Sequence, residues 1–213
     1  FRRRLHVDLM AEILSPEQRE AVRQETIART EQIKDERQAT ASDIDLELAD
    51  FCADYHYDPY GWVMGAFDWG HGDLKGFDGP DEWQKETLIQ WGEEMRLRQF
   101  DGVTPVPVIR FTTASGHGIG KSAFVAMCIL FIMSTRPGAK GIVTANTGDQ
   151  LRTKTWGELA VWKARCITGK WFTLNSGKGS LSMYHNGWPE SWRVDAQTCR
   201  EENSEAFAGL HSA

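Results

Sequence analysis

The stretch Thr112-Thr113-Ala114-Ser115-Gly116-His117-Gly118-Ile119-Gly120-Lys121-Ser122 limits what this chain can be more than any other. It follows Val106-Pro107-Val108-Ile109-Arg110-Phe111, which reads as a strand, and precedes an apolar run, Ala123 to Met133, long enough for a buried helix. Strand, glycine-rich loop and helix is the setting a phosphate-binding loop requires. Glycines let the backbone curl until successive N–H groups face one point. The helix N-terminus adds unsatisfied N–H groups and a partial positive charge. In that geometry Lys121 reaches the β- and γ-phosphates and the Ser122 hydroxyl ligates Mg²⁺. The usual G-x-x-x-x-G-K-[ST] spacing asks for glycine where Ser115 stands, and Gly116 and Gly118 supply the freedom instead. A glycine-rich turn that holds no ligand is the plainer alternative. It leaves unexplained a lysine at a helix start, where the dipole disfavours a cation.

The rest of the chain sets bounds. Its 213 residues are 41% hydrophobic and include 9 Trp, ample for a packed core. No apolar run reaches the roughly 20 residues that span a bilayer, and no secretory signal is visible, although the chain opens at Phe1 without Met. Cys52, Cys128, Cys166 and Cys199 are widely spaced without a C-x-x-C pair, as expected of reduced thiols in a cytosol. The net charge of −6 is uneven: residues 41–110 sum to −10, whereas residues 111–180 carry 9 basic against 2 acidic side chains. That basic stretch suits a polyanion beside the loop, or equally a solvated face serving the phosphate site alone.

In chain order, Ser15-Pro16-Glu17-Gln18 carries the signals of a helix start, and the helix extends to about Gln38 with sparse apolar positions. It is either an arm that docks on a partner subunit or a solvated helix. A second helix is expected over Asp43 to Ala53. The aromatic, acidic passage from Tyr55 to Asp73 contains His56, Asp58, Asp68, His71 and Asp73, whose spacing fits no metal template, so a hydrogen-bonded loop is the reading. Pro80-Asp81-Glu82-Trp83-Gln84 opens a helix through Leu88, Ile89, Trp91, Met95 and Leu97. Trp83 is core by residue type. Its place with Gln84, about thirty residues before the loop on the helix leading to it, resembles the place where several motor ATPases read adenine, which implies the ring against the base and the amide offering donor and acceptor.

After the loop helix, Lys140 to Asn146 reads as a second buried strand, giving a right-handed βαβ unit of a mostly parallel sheet. A helix follows from Leu151 to about Cys166, with Arg152 and Lys154 placed for solvent, DNA or phosphate. Leu181–His185 and Trp192–Ala196 are short strand candidates, separated by an Asn186-Gly187 turn. The fold expected is α/β: a P-loop NTPase with a mostly parallel central sheet flanked by helices, preceded by a helical N-terminal arm. Its divisions are 1–40, the arm; 41–101, a helical and loop lead-in carrying Trp83 and Gln84; and 102–213, the ATPase core.

Trp83-Gln84, the loop from Ser115 to Ser122, Thr144-Ala145-Asn146-Thr147-Gly148-Asp149-Gln150-Leu151-Arg152-Thr153-Lys154-Thr155-Trp156 and Ser204-Glu205-Ala206-Phe207-Ala208-Gly209-Leu210-His211 occur in that order. Together they resemble the N-terminal ATPase part of the large terminase subunit of tailed bacteriophages, over roughly residues 80–213. That resemblance implies an ATP hydrolase that drives double-stranded DNA into a procapsid in the host cell cytoplasm. It works as a homo-oligomeric ring, with the portal protein and the small terminase subunit as partners and no membrane. It also implies that Lys121 is catalytic and that Trp83, Gln84, Ser115, Gly116, His117, Gly118, Ile119, Gly120, Lys121 and Ser122 bind ATP, Ser122 holding Mg²⁺. A trans-acting arginine is implied too, with Arg110, Arg136, Arg152 and Arg200 all open, and His117 either touches phosphate or fills the turn. The family's acidic Asp-Glu pair and its nuclease have no counterpart here, and the core is expected to end before that acidic strand. A helicase-like ATPase, a small-molecule kinase and a nucleotide-binding assembly subunit are the competing readings.

Overall fold

The computed structural model describes residues 24–25, 28–29, 43–99, 104–114, 116, 118–177 and 180–198. Most of the helix expected over Ser15–Gln38, together with Ser115, His117, Arg200 and the Ser204–His211 motif, lies outside them. The chain divides into two compact units, Phe1–Glu47 and Leu48–Ala213. In the first, residues 24–25, 28–29 and 43–47 are helical.

Helical residues 48–54 form α1. Helix α2, Pro59–Ala66, starts where Asp58 caps it, the carboxylate accepting from Gly61 N–H at 3.0 Å, with proline in the first turn, where its missing N–H costs nothing. Helix α3, Glu82–Arg98, opens at a capping box in which Gln84 Oε1 accepts from the Asp81 backbone N–H at 3.0 Å. It ends at Gln99, whose φ of 43° cannot continue a helix. Helix α4, Lys121–Thr135, is apolar on nearly every side, as befits a helix surrounded by others. Ala126, Leu130, Phe131 and Met133 are fully enclosed in it. Trp62 of α2 and Trp91 of α3 meet the Phe131 ring edge-on at 5.7 and 5.3 Å. Enclosing each such side chain contributes about 1.5–3 kcal/mol, so α4 is the axis of the core.

Strand β1, Lys140–Ala145, leads to a capped turn, α5, Gly148–Gln150, where the Thr147 hydroxyl accepts from Gln150 N–H. A π-helical segment, Leu151–Trp156, then runs into α6, Gly157–Arg165. Strands β2 (Phe172–Asn175), β3 (Ser182–His185) and β4 (Arg193–Thr198) complete the sheet, in the order β1-β4-β3-β2. Two indole donors fix it to its surroundings: Trp192 Nε1 to Met133 O at 3.0 Å and Trp156 Nε1 to Asn175 O at 3.1 Å.

This sheet corrects the expectation of a mostly parallel P-loop architecture. Among the described residues it has four strands, and of their pairings only β1–β4 is parallel; β4–β3 and β3–β2 are antiparallel. Residues 106–111, expected as the first strand, have no strand partner, and Val108 and Phe111 are 71% and 42% exposed. The physical reason is the pair Pro105 and Pro107. Two residues apart in an extended chain, they remove two N–H groups from the same edge, so the segment cannot take the central place of a P-loop first strand, which pairs on both edges. The βαβ unit through α4 therefore does not form. β1 instead finds its parallel neighbour in β4, after a crossover through α6, β2 and β3. It is also an edge strand rather than a buried one, with Ile142 40% exposed. Among the described residues no helix is long and apolar enough to cross a membrane.

Candidate functional site: a braced glycine loop and its adjoining pocket

The loop reaches α4 through two left-handed glycines, Gly118 at φ 83° and Gly120 at φ 76°, the latter being the N-cap of the helix. These positions need glycine, since an L side chain there costs about 1–2 kcal/mol. Lys121 folds back over the loop and donates through Nζ to Gly116 O. Ser122 follows, half-buried in the first turn of α4, where the leading N–H groups of a helix have no carbonyl of their own to meet.

The conformation is set from α3. Trp83 Nε1 donates to Ile119 O at 3.1 Å, and Gln84 Nε2 donates to Gly120 O at 3.0 Å. The Trp83 ring packs on Phe124 of α4 with centroids 5.1 Å apart. Gln84 is only 3% exposed and is held at its other end by the Asp81 N–H. Two adjacent α3 residues thus hold two adjacent loop carbonyls, turning them away from the side where the following amides can gather. Both residues had been expected to meet adenine. In this structure the amide of Gln84 is engaged with protein on both sides, and the indole N–H of Trp83 is bound to the loop.

Beside Gly120 lies a pocket of about 290 Å³, near the small end of ligand pockets. Gln84, Asp81 and Gly120 form one wall; Trp69, Phe77 and Trp162 supply aromatic surface; Asp73 and Arg165 stand at the polar side. Arg165 lies over the Trp162 ring at 5.6 Å and reaches Asp73 at 3.4 Å. Trp69 is fixed by its own N–H, which donates to Val63 O at 3.0 Å. The pocket therefore offers rigid ring faces, a donor and an acceptor edge, and one cation, the features that recognise a flat heterocycle. Trp69 and Phe77 were not singled out from sequence, and Asp73, Trp162 and Arg165 were read only as a loop acid, a sheet-facing ring and a cation for solvent or phosphate. The only hint was the density of aromatic and acidic residues between Tyr55 and Asp73, which shows no spacing that aims them anywhere.

The second motif packs apart from the loop. Trp156 is 1% exposed, and Arg152 Nη1 donates to Ser176 O at 2.8 Å and Gly177 O at 3.1 Å. Arg152 thus clamps the turn after β2, while Lys154 is exposed on the π-helical segment, a geometry often found at functional sites. Of the arginines open for a trans role, Arg136 is turned inward, donating to His56 O at 2.9 Å and Thr135 Oγ1 at 2.6 Å. Among the described residues no group of three or more His, Cys, Asp or Glu side chains is arranged to hold a metal ion. No family model, no curated protein and no solved structure matches the chain.

Proposed function

We propose that this chain binds a nucleoside triphosphate, phosphates in the loop from Gly116 to Ser122 and base in the adjoining aromatic pocket, and uses its hydrolysis to move double-stranded DNA into a viral procapsid. One observation carries the nucleotide reading: Trp83 and Gln84 brace Ile119 and Gly120, and the braced loop opens beside a base-sized pocket. The sequence links those same three elements, the Trp-Gln pair, the loop and the helix after it. Of the setting named for a phosphate loop, the structure keeps the glycine turn and the helix but not the strand, so the reading rests on the first two. Lys121 would leave Gly116 O for the β- and γ-phosphates, and the Ser122 hydroxyl, triphosphate oxygens and water form the all-oxygen donor set that Mg²⁺ prefers. The metal supplies charge neutralisation on the phosphates when bound.

The motor reading adds the ordered motifs and the basic balance of residues 111–180. Titration with a fluorescent ATP analogue and Mg²⁺, then ATP turnover with and without duplex DNA, tests both parts. Saturable binding that Lys121→Ala weakens at least about ten-fold supports the nucleotide site, and turnover stimulated by DNA supports the motor. Nucleotide binding unaffected by Lys121→Ala would remove the first claim and the second with it. Binding with phosphate release indifferent to DNA would leave a nucleotide-binding subunit of another kind.

A further inference from the structure

A second pocket, of about 270 Å³, lies away from the loop, where residues 106–109 cross the C-terminal end of α4. Its walls are apolar: Trp91, Met95, Val106, Ile109 and Ile132. Arg136 lines it as well, half-buried with its guanidinium over the Phe131 ring at 5.1 Å. The acceptors it finds are His56 O, Thr135 Oγ1 and, at 3.1 Å, Met95 Sδ. None is charged. Among the described residues no carboxylate lies within ion-pairing distance of it, whereas the other guanidinium of the pocket, Arg98, is paired with Glu94. Burial accordingly pulls Arg136 below its ordinary pKa, and burial together with the Arg136 charge holds His56 below the usual imidazole range. Three of its five N–H donors are taken by neutral acceptors, and with no carboxylate beside it among the described residues this half-buried guanidinium lacks a counter-charge, which a carboxylate or sulfonate brought in by a ligand would supply.

We infer that this pocket is a binding site for a small organic anion with an apolar, preferably aromatic, body, its acid group paired with Arg136 and its ring between Trp91 and Ile132. The volume admits a ligand well below ordinary drug size. The site is distinct from the triphosphate loop and stands whether or not the nucleotide reading does.

Isothermal titration of the whole chain at pH 8 with 2-naphthoate and with its uncharged isostere 2-naphthamide tests this. The expected result is saturable naphthoate binding at least about ten-fold tighter than naphthamide, since a hydrogen-bonded charge separates them. Arg136→Met should erase that difference while naphthamide affinity stays, and Arg136→Lys should keep part of it. ATP and Lys121→Ala should leave naphthoate binding unchanged. Equal affinity for acid and amide in the unaltered chain would overturn the inference without any variant having to fold. So would a preference that survives Arg136→Met, or displacement of naphthoate by ATP.

Discussion

Gly120→Ala probes the brace between α3 and the loop directly. A Cβ at Gly120 would stand 2.8 Å from Gln84 Nε2 and 3.4 Å from Asp81 Oδ2. Gln84 cannot simply swing aside: it is 3% exposed and its Oε1 holds the Asp81 N–H. The left-handed backbone costs alanine about 1–2 kcal/mol, and displacing the amide from Gly120 O forfeits a further 0.5–1.5 kcal/mol or so. The substitution should therefore cost about 2–3 kcal/mol, a fall in Tm of roughly 4–12 °C for a chain of this length. Gly118 is the internal control. Its φ of 83° carries the same backbone penalty, but nothing among the described residues lies within 4 Å of where a Cβ would stand. Gly118→Ala should cost about 1–2 kcal/mol and no more. On a Gln84→Ala background the excess of Gly120→Ala over Gly118→Ala should vanish, because the clashing amide is gone. Thermal and urea unfolding of the six proteins reads this out. If the two alanines cost the same on both backgrounds, Gln84 does not hold the loop and the site argument loses its geometric basis.

Trp156→Phe keeps a buried ring and removes the donor to Asn175 O, so urea titration should show a loss of about 1 kcal/mol, against about 3–5 kcal/mol for Trp156→Ala. His56 and His185 both have pKa values lowered by burial, and Gly187 N–H donates to His185 Nδ1 at 3.0 Å, which needs that nitrogen unprotonated. A lowered histidine pKa means the unfolded chain binds more protons. Stability is therefore complete above the unfolded value near 6.5 and drains away as pH falls through the folded values. The urea midpoint should drop on acidification below about pH 6.5, and less steeply when His185 is replaced by Phe. The Cys166 thiol, 7% exposed and pushed up to about 11 by burial, should resist iodoacetamide at pH 8 until the chain is unfolded, as peptide mass analysis would show.

Helices α3 and α4 were legible because each rests on a local signal, whereas α2, Pro59–Ala66, falls in the passage read from sequence as a hydrogen-bonded loop, although Asp58-Pro59 supplies a cap and a first-turn proline. Asp81 and Gln84 sit at cap and third position of α3, the unbroken apolar run of α4 has no amphipathic alternative, and Thr147 caps the turn before the π-helical segment. Asn186-Gly187 likewise announced the turn between β3 and β4. The missing first strand was legible in principle. Apolar composition over 106–111 argues for a strand, but the parity of Pro105 and Pro107 argues harder against a central one, since it strips a single edge of its donors. The site was legible only in part. Gly118, Gly120, Lys121 and Ser122 lie in one run and could be named together. The pocket could not, because Trp69, Phe77, Trp162 and Arg165 come from separate elements and meet only once α4 is enclosed. Nor does any local rule reveal whether the donors of Trp83 and Gln84 face a ligand or the loop's own carbonyls.

The missing strand bears on how the loop can work. Where a strand feeds a phosphate loop, its ladder fixes the loop's first residues. Here residues 106–111 approach without a ladder, tied by Arg98 Nε to Pro107 O at 2.9 Å. The fixed points lie at the other end: Ile119 and Gly120, bound from α3, and Lys121, already inside α4. On the proposed nucleotide reading, phosphate contacts at the helix end would be pre-set, while those from Gly116 would be arranged when Lys121 gives up its bond to Gly116 O. Binding would then spend part of its energy on breaking the Lys121–Gly116 bond, which lowers affinity relative to a fully preformed site. On the same reading, a triphosphate would alter the path of residues 110–114, beyond the Arg98 tie at Pro107, without disturbing α3, α4 or residues 106–109, and a segment that responds to nucleotide against a fixed frame is what an ATP-driven machine needs.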